Sequence, residues 1–189
     1  IQDSLVGSEM CIRDRNVTAQ ITSMDHPIGR LLGNAHEVAE SVACLKGEGP
    51  EDTMELVRMQ GAALGADVDA VIAAGSALEA FAQMCQRQGV EQATVTALLE
   101  DPWSVLPRGR SRITVVAPTS GWISDIDALA LGRALVHIGA GRTHPSDVLD
   151  LGAGIELLVT VGSQVEAGTP LAHVDHNMPD DVPDVAGAF

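Results

Sequence analysis

At 189 residues the chain has room for one medium domain or two small ones, and its core, with 46% hydrophobic but only 2% aromatic residues, must be built from Ala, Val, Leu and Ile. Its 26 acidic against 11 basic residues give a net charge of −15, which argues against nucleic-acid binding while leaving a small anion open to capture by local N–H groups. Cys11, Cys44 and Cys85 are too few and too scattered for a disulfide framework or a zinc site, and no membrane-length apolar run or signal peptide is visible, so a cytoplasmic protein without membrane contact is expected.

Residues 1–15 show neither helical nor strand periodicity. Glu9 through Asp14 resemble a translated transposon-end sequencing adapter, so this segment is set apart from fold reasoning as non-native. Residues 17–22, VTAQIT, alternate as a short strand does, and Asp25–Gly29 reads as a turn. Asn34 and Glu37 have capping-box spacing, Val38, Val42 and Leu45 recur at helical spacing, and Gly47 ends that helix. Glu51 and Asp52 open a second helix, where carboxylates favour the positive end of the dipole. Ser76 and Glu79 form another capping box, opening a helix through Gln88, and a short helix follows around Val95–Leu99. Met24, Met54, Met59 and Met84 read as core fillers, and Cys44 and Cys85 as small core residues.

The pattern changes after Pro102. Ile113–Ala117 and Trp122–Ile126 are strand-like on either side of a Ser120–Gly121 turn, and Asp127 caps a helix to Ile138. Ile155–Val161 and Pro170–Val174 then flank a turn region between Gly162 and Gly168. The segment 102–111, with Pro102, Pro107 and Gly109, is the expected linker. It divides residues 16–101, one strand plus helices, from residues 112–189, an α+β module with hairpins.

Two stretches carry a resemblance. ITSMDHPIGRLLGNAHEVAES (21–41) is close to a pattern of paired Met and Asp, then Pro-Leu-Gly, then Gly-Asn-Ala-Leu-Glu-Val; Ile28 and His36 stand where Leu is usual. SGWISDIDALALGRALVHIGAGR (120–142) is followed by a G-x-x-V-x-x-G-x-P-L run at Gly162–Leu171. In order and spacing these resemble the thymidine and pyrimidine-nucleoside phosphorylase family over about residues 16–176. The resemblance implies an α/β remnant followed by the family's C-terminal α+β domain, with a barrel-sandwich-like hairpin region. It also implies a pentosyltransferase that takes a pyrimidine nucleoside and inorganic phosphate to free base and pentose 1-phosphate, without an organic cofactor, in a full-length homodimer. The family's phosphate loop and base-binding Arg, Ser and Lys precede the stretch matched from Asn16 onward, so no catalytic residue is expected in this chain. The chain after Asn177 is shorter than the family pattern, which continues into a further helix and a last strand.

The same resemblance carries a potassium site onto Ile28 and Leu31, through their carbonyls, and onto Glu40 through its carboxylate. An all-oxygen set suits a hard cation. Asp25 and His26 belong to a turn that is mainly structural in the family. Gly139 and Gly141 are expected to cap a helix, and Arg142 to contact substrate if the loop closes with the domains. Two other classes were weighed. A biotinyl or lipoyl carrier would need a lysine at the hairpin tip, yet Lys46 is the chain's only lysine. An anthranilate-type phosphoribosyltransferase shares the upstream architecture but lacks the module at 120–176.

Overall fold

The computed structural model describes residues 17–178 and 185–189. The adapter-like segment 1–15 therefore lies outside the described residues. A two-residue strand β1 (Leu31–Leu32) precedes helices α1 (Asn34–Lys46), α2 (Glu51–Ala63), α3 (Val68–Ala73), α4 (Ser76–Arg87) and α5 (Gln92–Glu100). A 3-10 turn (Pro102–Ser104) leads into β2 (Ser111–Val116) and β3 (Gly121–Trp122). Helix α6 (Ala128–His137), β4 (Gly154–Leu157), β5 (Gln164–Val165), β6 (Pro170–His176) and a last 3-10 turn (Ala186–Ala188) follow.

β1, β4, β6 and β2 form one antiparallel sheet in that order, and β3 pairs with β5 in a second. The molecule is thus mixed helix and open antiparallel sheet, as the α+β expectation requires. β6 is central because both its edges are paired, to Ser111–Val116 on one side and Gly154–Leu157 on the other. Its run of Leu171, Ala172 and Val174 is buried and joins Ile155, Leu157, Leu131, Ile138 and Ile126 in the main core. That core lies in the second half of the chain. Of the five upstream helices, α3 and α4 bury no residue and α2 buries only Met54.

Several expectations change here. Residues 17–22 form no strand; Ile21 is fully exposed, and no described strand runs beside the segment. Alternation alone cannot hold extended backbone without a ladder partner. The upstream strand is instead β1, and it pairs with β4, so residues on both sides of the expected linker share one sheet. The linker itself is pinned: Gly109 N donates to Gly152 O at 2.9 Å, and Trp103 N donates to Asp101 Oδ1 at 3.1 Å. Trp122–Ile126 and Ile155–Val161 form shorter strands than their sequence patterns suggest. Among the methionines read as core, Met54 is buried, whereas Met24, Met59 and Met84 are exposed because no described element covers them.

Among the described residues, no helix is long and apolar enough to cross a membrane.

Candidate functional site

Helix α1 organises two polar centres, through Glu40 and His36, which lie one turn apart along it. The first is the turn before β1. Gly29 takes a φ of +76°, and a Cβ there would run into the Glu40 carboxylate. Glu40, about two turns into α1, reaches back to this turn and accepts through Oε1 from Arg30 N at 2.7 Å and Leu31 N at 3.0 Å. Arg30 Nη1 donates to Gly29 O at 2.7 Å and to Asp52 Oδ2 at 2.9 Å, tying the turn to the start of α2. Burial raises the Glu40 carboxyl above its ordinary value, against the opposing pull of the two amide bonds. Asp52 lies below its ordinary value, because its bonds from Arg30 and the backbone outweigh the effect of burial. Beside this turn opens a cleft of about 640 Å³ whose walls include Arg30, Leu31, Glu40, Lys46, Glu100 and Trp103.

The expected cation residues are therefore brought to one turn, but in a particular arrangement. Glu40 meets Leu31 through the amide N–H rather than the carbonyl, and Ile28 is about half exposed. Among the described residues, no group of three or more His, Cys, Asp and Glu side chains is arranged to hold a metal.

The start of α1 also differs from a capping box. Gly33 occupies the cap position, with Glu37 Oε1 accepting from its N–H at 3.2 Å, so only the reach-back half forms. Asn34 turns away and donates through Nδ2 to Ala140 O at 2.8 Å. That bond ties α1 to the turn after α6, where Gly139 has a φ of +91° and Arg142 stands exposed. His26 pairs with Asp125 at 2.9 Å rather than with Asp25, and Asp25 accepts from Ser23 Oγ at 2.9 Å. Both members of the His26–Asp125 pair are exposed.

The second centre was not anticipated. His36, the residue that departs from the Leu of the family pattern, is fully buried and its Nε2 donates to Asp175 Oδ2 at 3.0 Å. Asp175, also buried, accepts from Arg112 Nε at 2.7 Å and Nη2 at 2.8 Å, and from Arg108 Nε at 3.1 Å. Arg112 Nη1 continues to Glu156 at 3.1 Å. Trp103 closes the group, edge-on to the imidazole at 5.0 Å with the Arg108 guanidinium over its face at 4.0 Å. Burial lowers the His36 imidazole below its ordinary value despite the bond to Asp175. Asp175 is held below its ordinary value: burial opposes ionisation, but the bonds from Arg112 and His36 prevail. The only sequence signal for this centre was a histidine on an apolar helix face and three arginines in RGRSR (108–112) of an otherwise acidic chain.

Residues 122–189 match the family described as the pyrimidine nucleoside phosphorylase C-terminal domain. The chain is 37% identical to a thymidine phosphorylase of Homo sapiens over 191 aligned positions, covering 92% of this chain and 39% of that protein. It is 38% identical to a pyrimidine-nucleoside phosphorylase of Bacillus subtilis, covering 83% of this chain and 38% of the relative. A thymidine phosphorylase of Mycobacterium tuberculosis is 37% identical, with 86% of this chain and 37% of the relative covered. The chain thus spans about two fifths of the length of these relatives.

Proposed function

We propose, from the premise that this chain belongs to the thymidine and pyrimidine-nucleoside phosphorylase family, that it is the C-terminal part of an enzyme cleaving pyrimidine nucleosides with phosphate. The observation that carries this reading is sequence identity of 33–38% to such phosphorylases over most of the chain. In the reaction a phosphate oxygen bonds to C1′ as the C–N glycosidic bond breaks, and the bonding electrons leave with the base. Thymidine, deoxyuridine and uridine are the proposed substrates, giving thymine or uracil and deoxyribose or ribose 1-phosphate. The proposed whole enzyme is a cytoplasmic homodimer.

Within it, the residues here serve as scaffold. The acidic chain supplies one lysine and no glycine-rich phosphate loop before a helix, which supports placing phosphate and base contacts in the rest of the protein. The module from 112 onward, with its barrel-sandwich-like hairpins, acts as a closing domain, and Arg142 is proposed to approach substrate on closure. At the Gly29 turn a hard cation such as potassium is proposed, with Ile28 and Leu31 offering carbonyl oxygens and Glu40 a carboxylate oxygen. The donor chemistry fits, and Glu40 Oε1 is already engaged by two amides, so Oε2 is the oxygen that would serve.

The test is phosphate-dependent release of thymine from thymidine. The 189-residue chain is expected to show none, whereas a longer protein in which this chain follows the family's upstream part is expected to turn over. Turnover by the chain alone would move the active site into these residues. Failure of the longer, folded protein on every pyrimidine nucleoside would remove the phosphorylase reading.

A further inference from the structure

We propose that His36 and Asp175 form an acid-released latch, in which uptake of one proton at His36 Nδ1 loosens helix α1 from the C-terminal sheet.

The centre is built so that the imidazole must be neutral. Asp175 is an acceptor, so Nε2 carries the ring proton and Nδ1 is left bare. Nδ1 is buried without a hydrogen-bond partner among the described residues. It lies against Gly154 of β4, where a Cβ would strike the ring. The groups facing the imidazole are Asp175 from β6, Arg108 from the segment before β2 and Arg112 from β2, with Glu156 of β4 reached through Arg112. Two carboxylates and two guanidiniums cancel. A proton on Nδ1 therefore adds a buried positive charge, attracted by Asp175 and repelled by two arginines, and an N–H with nothing to accept it. Water can solvate that charge only if α1 moves off the sheet. The lowered affinity of the buried ring for a proton points the same way.

The latch also has leverage. His36 and Asp175 are 139 residues apart in sequence, and α1 carries Glu40, which holds the Gly29 turn. Release at His36 is thereby passed one turn along the helix to Glu40.

Hydrogen exchange of α1 amides in the 189-residue chain, corrected for the intrinsic effect of pH, tests the proposal at about pH 7.5 and about pH 5. Exchange in α1 is expected to rise about tenfold or more at the lower pH, while β4 and β6 amides change little. His36→Leu, which removes the titrating ring, is expected to abolish the rise. A purely structural contact would give α1 the same protection at both values, and that result overturns the latch, as does an equal rise in His36→Leu. Should that variant not fold, the ring ¹⁵N shifts of His36 in the wild type decide. Protonation of Nδ1 in step with α1 exchange supports the latch; a ring already charged near neutrality, or one that titrates without any change in α1, defeats it.

Discussion

Gly29 and Asp175 are the two residues whose replacement should be felt most directly. A Cβ at Gly29 meets the Glu40 carboxylate and a φ of +76° together, so Gly29→Ala is expected to cost about 1–3 kcal/mol, read from denaturant midpoints. Asp175 is the shared acceptor of two arginines and a histidine. Asp175→Ala would leave the buried His36 N–H unpaired, while the partly exposed Arg108 and Arg112 turn to water, at a cost of about 1–3 kcal/mol. The same centre sets the response to acid. His36 binds a proton less readily folded than unfolded, so as pH falls below the ordinary imidazole value of 6.5 the unfolded state gains protons first and stability declines. Asp175 adds its contribution above the ordinary carboxylate value of 3.8 and loses it as pH falls through its lower folded value. Glu40 works in the opposite sense, since protonation as pH falls relieves its burial. Melting temperature against pH should therefore fall in a first step below neutrality that His36→Leu removes. A flat profile between neutrality and the carboxylate range would contradict this ordering.

Helices and strands were legible in proportion to how local their causes are. Helix α6 followed from Asp127, whose side chain accepts from Ala130 N at 2.9 Å, and from the glycine that ends it. Asp127→Ala is expected to cost about 1 kcal/mol, a loss that circular dichroism melts of the two proteins would register. The helices α1 and α4 were legible too, but their caps were misplaced by one residue, onto Asn34 and Ser76 rather than Gly33 and Gly75. Those glycines carry positive φ and no side chain, so the sequence offered a better-looking polar neighbour. β1 was invisible because two residues have no period, and it exists only through pairing with Ile155 and Glu156 of β4. The strand pattern at 17–22 failed for the converse reason, a period without a partner. Leu171 of β6 faces the main core. It is 1% exposed, and Leu171→Ala is expected to lose about 2–5 kcal/mol by chemical denaturation.

At the scale of the molecule, the resemblance held over most of the chain, while the charged centre that joins its two halves came from His36, one of the two positions where the pattern is broken. Motif matching reads what is shared, and a buried ion network depends on partners far apart in sequence that carry no mutual spacing. The central place of β6 has a temporal meaning as well. β1 waits for β4, β4 and β2 wait for β6, and His36 emerges from the ribosome 139 residues before the carboxylate that completes its bond. At ordinary elongation rates that interval is on the order of ten seconds, during which α1 has its local hydrogen bonds but no sheet to rest on. A chain released before Pro170 should therefore leave α1 open to protease, and one released after Asn177 should close it, so that the last long strand among the described residues decides when β1 is fixed in place.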